Sequence, residues 1–141
     1  MAKNSLFVWI CLLLFSGMTH EGNKNKTVSI HDEVKRFKQL VIAHIDPAAA
    51  PDGEYTGQCP FWKRFMYRVK VTVKSGKMTH IDVLENGTEN AYAKKGMGVV
   101  GRMLEKQSPK VQAVTGATVT SKALMKCVEK ALKKARPVKA D

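Results

Sequence analysis

Acidic residues are scarce in this chain: 12 aspartates and glutamates stand against 24 lysines and arginines in 141 residues, a formal charge of +12. An excess of that size points to nucleic acid, an anionic membrane surface, or an acidic protein or ligand as partner. Nucleic acid finds no support in the pattern. No arginine-rich or aromatic-interleaved segment occurs, and lysines such as Lys35, Lys70, Lys94, Lys122 and Lys134 are spread along the chain. A solvated basic surface accounts for the charge, and the densest cluster, the C-terminal KKARPVKAD, reads as a frayed tail. Long apolar runs are also missing. The longest block, Leu6 to Phe15, falls short of the about 20 residues that a membrane-spanning helix needs. With Lys3 before it and polar residues from Thr19, it suits an export signal. Ser16, Gly17 and Thr19 meet the small-residue cleavage rule only loosely, so retention as a membrane tether stays open.

Cysteine is nearly as rare, with three residues and no CxxC pair. Cys11 lies within the apolar block; removal of a signal leaves Cys59 and Cys127, far apart in sequence with nothing in the spacing to join them. Cys127 falls on the apolar face of a predicted helix, the setting of a buried structural thiol. Metal-ligand spacing is absent too: His31 and His44 are isolated, and His80 sits in a predicted strand with Asp82 on the same face. GMGVVG, Gly96 to Gly101, matches the dinucleotide-binding pattern GxGxxG only in letters. No strand precedes it, and no acidic residue between Glu105 and Glu129 answers it.

What remains is one domain's worth of pattern. Val34, Phe37, Val41 and Ile45 recur at helical spacing beside Lys35, Arg36 and Lys38, so a short amphipathic helix is expected, ending before Asp46-Pro47. PAAAPDG then marks a boundary, with the compact domain starting near Asp52. Glu54 to Gly57 reads as a short strand. Tyr67, Val69, Val71 and Val73 alternate with Arg68, Lys70, Thr72 and Lys74, a strand with one buried face. Lys74-Ser75-Gly76-Lys77 turns the chain, and Thr79, Ile81 and Val83 form the partner strand until Asn86-Gly87. A glycine-rich turn and a helix near Val99 to Lys106 follow. The last helix carries the stripe Ala123, Leu124, Cys127, Val128, Ala131, Leu132 and Ala135, with Glu129 and the lysines off it. No internal repeat is visible, and the segregation of strands from helices predicts an α+β fold: a small antiparallel sheet built around a β-hairpin and packed against helices.

Between the two parts of this pattern lies Thr115-Gly116-Ala117-Thr118-Val119-Thr120-Ser121, small and hydroxyl-rich, just ahead of the last helix. A helix start offers unpaired backbone N–H groups and partial positive charge, which suit a phosphate. Gly116 and Ala117 leave room for a ligand, while Thr115, Thr118, Thr120 and Ser121 can donate to phosphate oxygens, with Lys122 adding charge. The same residues could instead cap the helix and fill a turn. Chemistry alone leaves both readings open.

The stretch VTGATVTSKAL resembles the signature of the FMN-binding domain family, which includes flavin-carrying subunits of sodium-pumping quinone oxidoreductases and of Rnf complexes. DGEYTG resembles the family's opening strand, YRVKVTVKSGKMTHIDVLE its hairpin, and Gly96-Met97-Gly98 its glycine-rich turn, so the likeness covers roughly residues 52 to 135. It implies FMN as cofactor, joined in many members through its phosphate to the threonine that ends GAT, here Thr118. Members modified by the dedicated FMN transferase usually carry an aspartate three residues before the motif's first Ser/Thr; that position here is Gln112. The motif is thus compatible with covalent attachment and with reversible FMN binding at the same turn.

The organisation expected is a signal peptide or anchor over 1–21, a linker with a short helix over 22–51, the FMN-binding domain over 52–136 and a basic tail over 137–141. The function that the resemblance implies is an exported or membrane-associated electron carrier rather than a complete enzyme. Its redox partner would be a flavin, iron–sulfur or haem protein, and an FMN transferase is a second expected partner. Tyr55, Met97 and Trp62 are candidates, by residue type, to cover the flavin ring. The alternative is a cofactor-free basic exported module in which TGATVTS only caps a helix.

Overall fold

The computed structural model describes residues 27–87 and 89–136. The apolar N-terminal block, with the signal or anchor assigned to it, lies outside the described residues, as does the tail 137–141. Among the described residues no helix is long and apolar enough to cross a membrane.

Three antiparallel strands form the sheet, in the order β1 (Gly53–Pro60), β2 (Met66–Lys74), β3 (Lys77–Asn86). Helix α1 (Ile30–Lys38) precedes them; α2 (Ala91–Gly96), α3 (Gly98–Lys106) and α4 (Thr118–Ala135) follow. This is the expected α+β arrangement. Ser75 and Gly76 both take positive φ, 50° and 74°, the geometry of a two-residue hairpin turn whose twist matches the strands. Tyr67, Val69, Val71 and Val73 face the core and are buried. The opposite face of β2 meets solvent, where Lys70 pairs with Glu54 and Asp82, and Arg68 with Glu85.

The alternation expected on β3 is interrupted twice. Thr72 pairs with His80 but Val73 with Met78, leaving Thr79 as an extra residue; Arg68 pairs with Glu85 but Val69 with Val83, leaving Leu84 extra. Each bulge flips the side that following residues face. Met78 thus becomes a buried residue, while Thr79, read as core-facing, is exposed.

Helix α4 covers the buried face of the sheet, and its stripe from Ala123 to Ala135 is inside as expected. Glu129, placed off that stripe by the sequence pattern, is only 1% exposed. It is held there by Lys126, Lys133 and the Ala43 N–H, which donate to its carboxylate at 3.0, 2.6 and 3.1 Å.

The stretch assigned to a linker is packed. Phe37, Ile42, Ile45 and Ala50 belong to the same buried cluster as the sheet and α4. Phe37 meets Phe61 edge-on at 5.0 Å and Tyr67 at 6.1 Å between ring centroids. Burial of a side chain of this size contributes about 1.5–3 kcal/mol. The amphipathic helix is shorter than its expected stripe, ending at Lys38, with Val41 exposed. Side chains of α4 explain the change of conformation: Lys122 and Lys126 donate to the carbonyls of Leu40 and Val41, and Glu129 accepts from Ala43. The backbone of residues 40–43 therefore has partners without continuing the helix.

Candidate functional site

Helix α4 begins one turn earlier than expected, at Thr118, so that Thr118, Val119, Thr120 and Ser121 form its first turn rather than a loop before it. Three β-branched residues are modest helix formers. Burial outweighs propensity here: Thr120 is 5% exposed and Ser121 fully buried. The chain enters this turn through Gly116, whose φ of +79° is left-handed backbone that glycine adopts without strain. Among the described residues no side chain caps the helix; Ala117 occupies that position. The helix-cap reading of the hydroxyls is thereby overturned, and the first-turn N–H groups remain available to an outside acceptor.

The early start sorts the four hydroxyls. Ser121 Oγ accepts from the Val114 N–H at 3.0 Å, tying the approach loop to the helix. Thr120 lies beside Tyr67, whose hydroxyl is pushed up in pKa by burial, against the opposing pull of the Thr120 side chain. Both residues are buried, and Thr120 also borders the cleft that Thr118 lines. Thr115 is exposed, and Thr118, half-buried, lines an open cleft. Lys122, expected to add charge at the turn, instead reaches back to Leu40.

The cleft measures roughly 480 Å³, within the about 300–1,000 Å³ usual for a cofactor-sized ligand. Gly116, Ala117, Thr118, Val119 and Thr120 form one wall; Ile30, Val34 and Lys38 of α1 form another. Phe61, Tyr67, Asn90 and Tyr92 complete it. One side thus offers a helix N-terminus and the other an apolar, aromatic surface. A lysine stands near the phosphate-facing end: a β-carbon at Gly116 would lie 3.1 Å from Lys95 Nζ.

The glycine-rich turn lies elsewhere. Gly96 is buried against Thr120, where a β-carbon would fall 2.5 Å from Thr120 Cγ2; the close packing of α2 on α4 requires this glycine. Met97 joins α2 to α3 and is exposed, and a β-carbon at Gly98 would make only an ordinary contact with Val114 at 3.5 Å. None of the three lines the cleft. Helix α2, not a strand, precedes GMGVVG, as the rejection of a dinucleotide site requires.

A family model described as the FMN-binding domain matches residues 64–133. Residues 64–133 belong to the FMN-binding domain family. Searches of curated proteins and of solved structures gave no match. The family's cofactor is FMN, and the cleft fits it. An uncapped helix start entered through a left-handed glycine suits the phosphate, and Phe61, Tyr67 and Tyr92 provide surface for a flat ring. Neither Tyr55 nor Trp62, chosen as ring-covering candidates by type, lies there. Tyr55 donates to the Pro51 carbonyl and Trp62 to that of Val28. The FMN-binding domain also draws a wall of its cleft from α1, upstream of the matched residues. In sequence, the helical spacing of Val34, Phe37, Val41 and Ile45 hinted that this helix had a face to bury.

Gln112, at the position where an aspartate is usual, is exposed. Its carbonyl and that of Ala113 accept from Arg102 at 2.9 and 3.1 Å, which fixes the approach to the turn against α3.

Proposed function

We propose that this chain is an exported electron carrier whose FMN is held by its phosphate at the first turn of α4 and linked there to Thr118. The observation that carries the reading is the sorting of the hydroxyls. Ser121 is engaged within the protein, Thr120 is buried beside Tyr67 at the cleft wall, and Thr118 stands half-buried at the helix start and lines the cleft. When bound, FMN supplies one- and two-electron chemistry. The chain's own part is to hold the phosphate with the N–H groups of the turn, to place the ring against the aromatic wall, and to leave the open side of the cleft for a redox partner. That partner is a flavin, iron–sulfur or haem protein, and the apolar N-terminal block supports export with membrane association.

The test is to produce the full chain with and without an FMN transferase and to measure colour and mass. A mass increment of one FMN, lost in Thr118→Ala, supports the covalent carrier. Yellow colour released by denaturation replaces it with reversible binding at the same turn, in keeping with Gln112. A colourless protein under both conditions ends the flavin reading. Because no side chain caps α4, Thr118→Ala leaves stability within about 0.5 kcal/mol of the parent.

A further inference from the structure

Cys59 and Cys127 are remote in sequence, yet the fold sets them face to face. Cys59 lies two residues after Gly57 on β1, so both point to the side covered by α4. Gly57, lacking a side chain, lets the Cys127 backbone close on the strand; a β-carbon there would fall 1.8 Å from the Cys127 carbonyl oxygen. Cys127 Sγ donates at 3.3 Å to the carbonyl of Tyr67, the residue paired with Cys59 across the ladder, which brings the two thiols close enough to shift each other's ionisation. Both are free cysteines, 4% and 0% exposed.

A buried structural thiol needs no second thiol beside it, and the two differ in access. Cys59 lines an open cleft of roughly 250 Å³ that Arg36, Lys126 and Lys130 also line. Lys126 is paired with Glu129 and Arg36 with Glu33, while Lys130 donates to the Gln58 carbonyl at 3.2 Å and has no ion pair among the described residues. Cys127 does not line this cleft.

We propose that Cys59 and Cys127 are a redox-active dithiol that is oxidised by small anionic disulfides entering the basic cleft beside Cys59. The Cys59 thiolate attacks one sulfur of the oxidant. The oxidant's S–S bond breaks, a mixed disulfide forms on Cys59, and the first thiolate leaves and takes up a proton. Cys127 then gives up its proton and attacks the Cys59 sulfur. The mixed disulfide breaks, the Cys59–Cys127 bond forms, and a second thiolate leaves and is protonated. Two protein thiols are oxidised by two electrons and one disulfide is reduced to two thiols. The electrostatics support the order of attack. The neighbouring Cys127 thiol draws the Cys59 thiol down in pKa against its burial, with Lys130 and Lys126 assisting, and the Cys59 neighbour together with burial pushes Cys127 up.

The experiment equilibrates the full chain carrying Cys11→Ser with graded mixtures of oxidised and reduced glutathione, without denaturant, and reads intact mass and disulfide-linked peptides. The expected result is a loss of two hydrogen masses with a Cys59–Cys127 peptide. Added Cys127→Ser should trap one glutathione on Cys59, and added Cys59→Ser should leave Cys127 unmodified. A parent that stays a dithiol in fully oxidised glutathione overturns the proposal, as does glutathione trapped on Cys127. An alkylation time course on the parent dithiol chain needs no variant at either thiol: Cys59 should be blocked before Cys127, and equal or reversed order overturns the proposal.

Discussion

The absent side chain of Gly57 and the backbone of Cys127 occupy one space: a β-carbon at position 57 would stand 1.8 Å from the Cys127 carbonyl oxygen and 2.9 Å from the Ala131 nitrogen. Helix α4 can rest on β1 only because the strand carries glycine at this point. The positions of the α4 stripe and of Thr118 at its start both follow from that seat.

Gly57→Ala should therefore lift α4 from the sheet, since a helix backbone cannot give way as the end of a flexible side chain can. Overpacking of this kind costs about 1–3 kcal/mol and occasionally more. Urea unfolding should show that loss, and flavin titration should show weaker FMN binding as the turn at Thr118 moves with the helix. A variant as stable as the parent would mean that α4 is not seated on β1 at this distance.

Much of this arrangement was legible in the sequence, and the exceptions have local causes. The hairpin could be read because Tyr67 to Val73 alternate without error and Ser75-Gly76 suits a two-residue turn. The phase of β3 could not, because Thr79 and Leu84 are extra residues whose position depends on pairing with β2. The turn TGATVTS was legible as a phosphate-binding candidate, but not the division of labour within it. Which hydroxyls face inward depends on where α4 starts, and burial of Thr120 and Ser121 sets that start against their weak helix preference. PAAAPDG reads as a boundary from its prolines, although the residues before it are buried through contacts made more than 80 positions away.

That distant contact matters to the cofactor. Lys38, in the last turn of α1, is exposed and lines the cleft opposite the Thr118 turn. Lys38→Ala removes a charge attracted to a phosphate while leaving the buried Phe37 untouched. An exposed ion pair is worth up to about 1 kcal/mol, so the Kd for FMN should rise about two- to fivefold at low salt and less at high salt. Unfolding midpoints should stay unchanged. Flavin fluorescence titration at two ionic strengths measures this, and an unchanged Kd would remove α1 from the phosphate's surroundings.

Ser121 holds the approach to the turn rather than the ligand. Its hydroxyl is buried and accepts from Val114 N–H, so Ser121→Ala leaves a partly buried donor without its partner at a cost of about 1–3 kcal/mol. Thr115→Ala, at an exposed position in the same motif, should change stability by less than about 0.5 kcal/mol. Thermal unfolding of the two variants separates the roles. Equal losses would mean that the motif's hydroxyls act alike, contrary to the sorting described above.

Glu129 gives the fold a dependence on acid. Burial alone would raise its pKa, but donation from Lys133, Lys126 and the Ala43 N–H outweighs burial and lowers it from the ordinary value of 4.5. A carboxyl with a lower pKa folded than unfolded binds protons more readily in the unfolded chain. Its contribution is complete above the unfolded pKa and disappears as pH falls through the folded one. Glu129→Gln keeps the shape but loses the charge, and hydrogen bonds to charged groups contribute about 1.5–3 kcal/mol. At neutral pH the variant should be less stable by about that much, and the gap should narrow as pH drops below 4.5. Urea titrations across that range report the difference. A gap that stays constant with pH would show that Glu129 acts through packing alone, and that α4 does not hold residues 40–43 by charge.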